Sequence, residues 1–306
     1  MAGGHRIGVD LGGSKIEAAL LDGAGAIVLR QRIATPAGDY PGTVAAVAGL
    51  VAALEREAGI VPTVGVGIPG TVVAASRLIK NANSTWLNGR PLPRDLEAAL
   101  GRPVRLANDA NCFALSEAVD GAAAGCAAVF GVILGTGVGG GIVISGRIVA
   151  GINGIAGEWG HNPLPWPKPG ELPGPPCYCG RTGCIETFLS GPGLAADHRR
   201  HAGGTLNGPQ IVAGAEAGDV ACRATLDRYA GRLARALAGV INVLDPDAIV
   251  LGGGLSAIAG LYDAVPRLWR PYVFSDDIAT RLLPPRHGDS SGVRGAAWLW
   301  PPEATQ

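Results

Sequence analysis

Four residues with metal-binding side chains, His161, Cys177, Cys179 and Cys184, lie close together in the sequence. Three thiolates and one imidazole complete the closed tetrahedral shell that is typical of structural zinc, and no position remains for a reactive water. The surrounding segment 150–191 is rich in Pro, Gly and Trp, so few side chains could order it without a metal. We therefore predict a structural zinc site. The alternative is a set of free buried thiols beside an unrelated histidine.

Three carboxylates are placed where they could act on a hydroxyl compound. Glu158 and Glu186 flank the predicted zinc ligands, and both could accept hydrogen bonds from sugar hydroxyl groups. Asp109 follows a short strand that ends at Ala107 and precedes a predicted helix over 110–124. A carboxylate at such a strand end can face a cleft and take a proton from an attacking hydroxyl group. The alternative is that Asp109 only caps the helix.

Two glycine turns could hold phosphate groups. Each follows an apolar strand, and the first matches neither the P-loop nor the Gly-x-Gly-x-x-Gly pattern. Glycine lets backbone N–H groups approach a phosphate closely, and a hydroxyl and an ammonium group in the first turn could add donors. The residues are Gly12, Gly13, Ser14 and Lys15 in the first turn and Gly135, Thr136 and Gly137 in the second.

Two further features complete a predicted nucleotide site. Asp10 lies just before the first turn, where a carboxylate could ligate the Mg²⁺ that ATP carries. Phosphoryl transfer depends on positioning and charge neutralisation, which two glycine turns and Mg²⁺ would supply. Gly252, Gly253 and Gly254 follow a predicted strand over 247–251 and could form a wall for adenosine. A tight strand-to-helix turn is the alternative.

The two glycine turns belong to an internal repeat, in which residues 8–13 align with residues 131–136. Two lobes with the same strand-turn-strand start would face each other across a cleft; two ordinary hairpins are the alternative. Asp10 corresponds to Ile133, so only one lobe would bring a carboxylate. The predicted fold class is α/β, with an N-terminal lobe over 1–117 plus 293–306 and a C-terminal lobe over 118–292.

The pattern of elements is consistent with such lobes. Predicted strands cover 6–11, 16–21, 26–33 and 63–68, and predicted helices cover 42–58, 221–244 and 293–300. We expect the last helix to pack on the N-terminal lobe.

Composition argues against several functional classes. The 306-residue chain has 47% hydrophobic and 16% charged residues, and 25 basic side chains balance 25 acidic ones. A chain without net charge suggests no basic face for nucleic acid. The N-terminus lacks a signal-peptide pattern, and no run of about 18 apolar residues could span a bilayer. We therefore predict a cytoplasmic protein that binds neither nucleic acid nor membrane.

Together the motifs resemble those of the ROK sugar kinases over nearly the whole chain. The matching motifs lie at 10–15, 108–109, 134–137, 158–161 and 177–186. Within that family, the stretches 80–89, 116–125, 157–166 and 287–300 look closest to bacterial fructokinases of the manno(fructo)kinase type. Ser14 stands where the family prefers Thr, and the hydroxyl group is retained.

The resemblance implies a two-lobed, actin-like ATPase fold of the ribonuclease H-like type, with an interlobe cleft that closes over a hexose and ATP. Asp109 would be the general base, and His161 would place one ring nitrogen on zinc and the other toward the sugar. The cofactors would be structural Zn²⁺ and the Mg²⁺ that accompanies ATP, and the protein would be a homodimer. The sugar hydroxyls would be bound by Asn83, Asn108, Asp109, Glu158, His161 and Glu186.

The expected reaction is the ATP-dependent phosphorylation of D-fructose to D-fructose 6-phosphate. Another kinase of the family, acting on glucose, mannose or an N-acetyl-hexosamine, is the alternative, because hydroxyl placement cannot be read from single residues. A sugar-responsive regulator of the same family is a rival from another class. We disfavour it because the first phosphate turn begins near residue 6 and leaves no room for an N-terminal helix-turn-helix domain.

Overall fold

The computed structural model describes residues 4–301. The strands are β1 (Arg6–Leu11), β2 (Lys15–Leu21), β3 (Ile27–Ala34), β4 (Thr63–Ile68), β5 (Thr71–Val72), β6 (Ile79–Lys80), β7 (Val104–Asn108), β8 (Ala128–Leu134), β9 (Val138–Ile144), β10 (Arg147–Ile148), β11 (Ala248–Gly252) and β12 (Arg281–Leu283). The α-helices are α1 (Tyr40–Ala58), α2 (Leu92–Leu100), α3 (Asp109–Val119), α4 (Ile185–Leu189), α5 (Gly191–Ala202), α6 (Gly208–Glu216), α7 (Val220–Leu244), α8 (Leu261–Trp269) and α9 (Ser291–Trp298). None of these described helices is long and apolar enough to cross a membrane.

The first sheet has the strand order β3-β2-β1-β4-β7. Strands β1, β2 and β3 pair antiparallel because short turns connect them. Strands β1, β4 and β7 pair in parallel, and α1 and α2 lie in the connections between them. The carboxyl ends of these parallel strands therefore meet at one edge, where Asp10 lies opposite Gly67 and Ile68 lies opposite Asn108.

Helix α9 packs directly on this sheet because two glycines leave room for its backbone. A side chain at Gly8 would collide with the carbonyl oxygen of Val293, and one at Gly65 would collide with that of Ala296. The core of the sheet consists of buried aliphatic side chains such as Val9 of β1. The C-terminal helix thus covers β1 and β4.

The second sheet has the order β10-β9-β8-β11-β12, with β8, β11 and β12 parallel. The described residues form two compact units. The first contains the residues up to Gly125, Gly141–Ala156 and the residues from Arg286 onward; the second contains Cys126–Gly140 and Gly157–Pro285.

The segment Gly141–Ala156 belongs to the first unit, whereas the predicted lobe boundary near residue 118 places it in the C-terminal lobe. Gly141 explains this position, because the absence of a side chain lets β9 approach the carbonyl oxygen of Ala110 at the start of α3. The predicted N-terminal lobe also includes residues 1–3 and 302–306, which lie outside the described residues. The assignment of functions to two lobes stays a prediction.

A buried ion network links the segment before the cysteines to α5 and α7 in the second unit. Arg235 donates to both carboxylate oxygens of Glu171 at 2.8 Å. Arg232 bridges Glu171 and Asp197 at 2.8 Å each, and Arg228 also pairs with Asp197 at 2.8 Å. Burial raises the pKa of Glu171, but the hydrogen bonds from Arg235 and Arg232 prevail and lower it to about 2.

Candidate functional site

The turn between β1 and β2 presents the first set of predicted phosphate-binding residues. The Gly12 N–H donates to the Lys15 carbonyl oxygen at 3.0 Å and closes the turn. Thr35, directly after β3, holds this turn, because its hydroxyl donates to the Gly12 carbonyl at 2.7 Å and its N–H donates to the Ser14 carbonyl at 3.0 Å. The side chains of Ser14 and Lys15 remain exposed, as does Gly13. Hydrogen bonds thus fix the backbone of this turn, and the residues at its tip are accessible to a ligand.

Asp10 lies among other carboxylates of the first unit. It is directly opposite Glu17 in the β1–β2 register. Burial, Asp109 and Glu17 raise the pKa of Asp10 to about 6, and Lys15 and Arg32 only partly offset this. Oxygen ligands are the ones that Mg²⁺ prefers, and a bound cation would favour the charged form of Asp10. Asp10 therefore fits the predicted magnesium ligand in its chemistry.

The end of β7 presents Asn108 and Asp109. Asn108 is the N-cap of α3, and its side-chain oxygen accepts the Ala110 N–H at 2.9 Å. Asp109 occupies the first helical position, and one of its oxygens accepts the same N–H at 2.8 Å. The loop after β4 contacts two predicted sugar ligands, because the Asn108 amide donates to the Gly70 carbonyl at 3.3 Å and the Asn83 N–H donates to the adjoining Pro69 carbonyl at 3.2 Å.

The four predicted zinc ligands come together in the second unit. The ligand atoms of His161, Cys177, Cys179 and Cys184 all lie within 4.8 Å of one another. The Cys177 sulfur is 3.6 Å from His161 Nδ1, and the Cys179 sulfur is 3.6 Å from the Cys184 sulfur. Ligand atoms of a tetrahedral zinc shell are about 3.5–3.8 Å apart, given the usual bond lengths. The donor set and its spacing thus fit zinc.

Short backbone contacts fold the segment 157–184, here called the cysteine loop, around these ligands. The Cys177 N–H donates to the Arg181 carbonyl at 2.8 Å, and the Gly180 N–H donates back to the Cys177 carbonyl at 3.0 Å. Beyond the loop, the Ile185 N–H donates to the Asn162 carbonyl at 2.9 Å. This bond joins the neighbours of Cys184 and His161, so two ligands that are distant in sequence become adjacent.

Tyr178 lies between two predicted zinc ligands and contacts a third. Its hydroxyl oxygen is 2.9 Å from His161 Nε2, and the two rings meet edge to face with centroids 5.1 Å apart. Partial desolvation of its hydroxyl group, followed by Glu186, Cys177 and Glu158, raises the pKa of Tyr178 to about 12. The carboxylates Glu158 and Glu186 are therefore within electrostatic range of this hydroxyl group.

The cysteine loop and the start of α4 also contact β9, directly after the second glycine turn. Glu186, in the first turn of α4, accepts the Val138 N–H at 2.9 Å. The Trp159 indole donates to the Gly139 carbonyl at 3.0 Å. Gly160 packs so closely on the Val138 carbonyl that no side chain would fit. This contact explains why glycine precedes His161 in the motif.

A cavity of about 590 Å³ lies in the second unit. The Gly135 carbonyl accepts the Gly191 N–H at 2.8 Å, so the start of α5 is joined to the second glycine turn. The residues that line the cavity include Gly135, Thr136 and Gly254 from the prediction, together with Gly191, Gly208 and Glu216. The N-termini of α5 and α6 therefore border it, and both would favour an anionic group.

Gly137 and Gly253 are not among the described residues that line this cavity. Gly253 has a φ of 79°, and a side chain there would meet the backbone of Leu134. A side chain at Gly137 would lie 2.7 Å from a carboxylate oxygen of Glu186. Both glycines thus shape the backbone beside the cavity, and Gly254 lies on its wall.

Glu17, Tyr178 and Glu216 are absent from the sequence-based prediction. Glu17 could have been found from strand register, because a turn closed between Gly12 and Lys15 puts it opposite Asp10. Tyr178 was signalled only by its place between two predicted ligands. Glu216 has no local signal, because it reaches the cavity through the packing of α6.

Known proteins resemble this chain over almost its full length. The N-acetyl-D-glucosamine kinase of Salmonella paratyphi B is 39% identical over 296 residues, which cover 95% of this chain and 98% of the relative. The structure of the ROK hexokinase from Thermus thermophilus shares 34% identity with a TM-score of 0.84, and 96% of each chain is covered. A ROK family glucokinase from Streptomyces griseus, in complex with glucose and AMPPNP, shares 30% identity with a TM-score of 0.78, covering 97% of this chain and 99% of that one.

The fold follows from these likenesses and from the sheets described above. As predicted, it is the two-lobed, actin-like ATPase fold of the ribonuclease H-like type. A sequence profile of the ROK family matches residues 6–303. The chain belongs to the ROK family.

Proposed function

We propose that this chain is an ATP-dependent hexose kinase whose substrate is N-acetyl-D-glucosamine. The observation that carries the kinase assignment is the carboxylate at the start of α3, Asp109, which interacts with the half-buried Asp10. The relatives described above support the same reaction class, since they are named as kinases of N-acetyl-D-glucosamine, hexose and glucose.

Asp109 is the proposed general base. Asn108 is the N-cap of α3 and already accepts the Ala110 N–H, so the Asp109 carboxylate is not needed for that role. In the proposed step, Asp109 accepts the proton of the attacking sugar hydroxyl while that oxygen bonds to the γ-phosphorus of ATP. The bond between this phosphorus and the bridging oxygen breaks, and ADP leaves. General-base catalysis contributes about 10²–10⁴ to the rate.

The sugar hydroxyls are proposed to bind Asn83, Asn108, Glu158, His161 and Glu186. Amide groups donate and accept, whereas carboxylates accept. The Nδ1 atom of His161 faces the Cys177 sulfur, so its Nε2 atom is the proposed sugar-side nitrogen. Glu186 uses Oε2 to hold the Val138 N–H, and we assign Oε1 to the sugar.

ATP is proposed to bind with its adenosine in the 590 Å³ cavity, whose size is typical of small-molecule sites. Gly135, Thr136 and the helix N-termini would face the phosphates, and Gly254 would form a wall. The first turn would add Gly12, Gly13, Ser14 and Lys15, and Gly137 and Gly253 would shape the second turn. Asp10 would hold Mg²⁺, which neutralises charge on the phosphates when bound.

Zinc is the proposed occupant of the cluster formed by His161, Cys177, Cys179 and Cys184. Four protein ligands fill a tetrahedral shell, so the proposed role is structural. The metal would order the cysteine loop, which carries two proposed sugar ligands, Glu158 and His161.

The choice of sugar rests on full-length similarity. Short stretches of sequence favour fructose, whereas the relatives with 39% identity over 95% of this chain are named for N-acetyl-D-glucosamine. We give the longer match greater weight because sugar ligands come from many parts of the chain. Fructokinase activity stays a prediction.

A sugar panel tests both levels of the proposal. We would measure kcat/KM at fixed MgATP for N-acetyl-D-glucosamine, N-acetyl-D-mannosamine, D-glucose, D-mannose and D-fructose, with Asp109→Asn as the blank for contaminating kinases. N-acetyl-D-glucosamine should give the highest value. A tenfold preference for fructose would change the substrate and keep the kinase. No ADP formation with any of these sugars would contradict the kinase assignment itself.

A further inference from the structure

The two ring nitrogens of His161 have different partners. Nδ1 lies 3.6 Å from the Cys177 sulfur, inside the cluster of ligand atoms. Nε2 lies 2.9 Å from the hydroxyl oxygen of Tyr178. A neutral imidazole that binds a metal through Nδ1 carries its proton on Nε2. In the sugar-free protein the Tyr178 oxygen is then the acceptor of the Nε2–H, at the position that a sugar hydroxyl is proposed to take on binding.

We propose that Tyr178 is a positioning residue, which fixes the ring orientation and the tautomer of His161 for zinc and for the sugar. The inference rests on the proposed zinc site. Histidines that bind metals commonly donate their second ring N–H to a neighbouring oxygen, and loss of that partner costs about 10- to 100-fold in metal affinity or activity. The edge-to-face contact of the rings, at 88°, further restricts rotation of the imidazole.

Tyr178 is suited to this role because its hydroxyl group can accept one hydrogen bond and donate another. It accepts the Nε2–H and keeps its own O–H to donate. Glu158 and Glu186 are within electrostatic range of this hydroxyl. Sugar binding near His161 would therefore meet a ring that is already oriented.

Tyr178 can be substituted without loss of core packing, because this residue is 77% exposed. We would compare Tyr178→Phe, which removes only the hydroxyl group, with Tyr178→Ala, which removes the ring as well. Tyr40→Phe is the matched control, because it also removes a hydroxyl hydrogen bond, to Asp95 at 2.7 Å, on α1 of the first unit. Zinc retention would be followed with a colorimetric chelator in the full-length protein.

Tyr178→Phe and Tyr178→Ala should both weaken zinc retention about 10- to 100-fold, and Tyr40→Phe should behave as wild type. In the kinase assay, Tyr178→Phe should raise the KM for the sugar several-fold more than it lowers kcat, with the KM for ATP unchanged.

Equal zinc retention in wild type and Tyr178→Phe, with loss only in Tyr178→Ala, would overturn the proposal, because ring packing alone would then hold His161. A wild-type protein without about one zinc per chain would overturn it together with the zinc site. The retention assay needs no turnover, so failure of the kinase proposal would be recognised separately by the sugar panel.

Discussion

At the start of α3, two neighbouring side chains accept the same backbone N–H. Asn108 and Asp109 both bind the Ala110 N–H, at 2.9 and 2.8 Å. Because Asn108 keeps the cap, Asp109→Asn should leave the helix intact and remove only proton acceptance. We expect kcat to fall by about 10²–10⁴, with little change in ligand affinity. Steady-state kinetics and thermal melting would measure the two effects.

The control for this experiment is Asp39→Asn. Asp39 is the N-cap of α1 and accepts the Gly42 N–H at 2.9 Å, and Asn caps helices about as well as Asp does. This variant should keep normal turnover. If Asp109→Asn did so too, the proposed general base would be wrong.

Gly135 borders the cavity, and a β-carbon there would have no atom within 4 Å. Gly135→Val should therefore fold normally and place its side chain where we expect ATP. Affinity for ATP, measured by calorimetry, should fall at least tenfold. This corresponds to a loss of about 1.4 kcal/mol of binding free energy. Gly49→Val is the matched control, because Gly49 also has open space beside it but lies on α1. Unchanged ATP binding would leave Gly135 as a turn residue only.

Among the elements, those with a regular apolar pattern were predictable. Predicted strands 6–11 and 63–68 match β1 and β4, and predicted helix 221–244 differs from α7 by one residue. The predicted helix 110–124 is too long, because α3 ends at Val119, where buried Glu117 accepts the Ala122 N–H at 2.8 Å.

Five of the described helices, α2, α4, α5, α6 and α8, were not predicted, and the residues of the last three explain why. Helices α5 and α6 begin with Gly-Pro, a pair usually associated with turns, although proline is well tolerated in the first helical turn. Helix α8 contains Pro266, which normally interrupts a helix.

The two parts of the candidate site also differ in how far a local sequence signal predicts them. The cluster of His161, Cys177, Cys179 and Cys184 was predictable because the types and spacing of these residues are local in the sequence. The cavity was not, because α5, α6 and the residues after β11 converge only in the folded chain.

The cysteine loop should depend on its metal. Cys179→Ser replaces a thiolate with a neutral hydroxyl, which is a poor zinc ligand. We expect loss of bound zinc, faster hydrogen exchange across 157–184 and a strong decrease in sugar affinity. The second glycine turn should respond as well, because Glu186 holds the Val138 N–H beside it. Elemental analysis, hydrogen-exchange mass spectrometry and sugar titration would measure these changes.

Cys126→Ser serves as the control, since Cys126 is outside the metal cluster. A zinc-free protein with full sugar affinity would contradict the proposed role of the loop.

At the scale of the whole molecule, the buried ion network should govern stability in acid. The folded pKa of Glu171, about 2, lies below its ordinary value of 4.5. Its contribution to stability is therefore fully present above about pH 4.5 and is lost as the pH falls toward 2. Glu171→Gln leaves Arg232 and Arg235 without this partner, and such losses cost about 3–5 kcal/mol.

We would measure the free energy of unfolding between pH 7 and pH 3. The wild type should lose more stability over this range than Glu171→Gln. Asp263→Asn is the control, because its pair with Arg267 is exposed on both sides and contributes at most about 1 kcal/mol. If the free energy of unfolding fell equally with pH in wild type and Glu171→Gln, the ion network would not determine stability in acid.

The hydrogen bond between Glu186 and Val138 implies cooperativity between the two substrates. One oxygen of Glu186 holds the backbone next to the second glycine turn, and the other is assigned to the sugar. A sugar that immobilised Glu186 would therefore also stabilise the turn that is proposed to meet the phosphates. Linkage makes this effect reciprocal, so ATP must raise sugar affinity by the same factor by which sugar raises ATP affinity. Dissociation constants measured with either ligand alone would then understate, by one common ratio, how tightly both are held in the ternary complex.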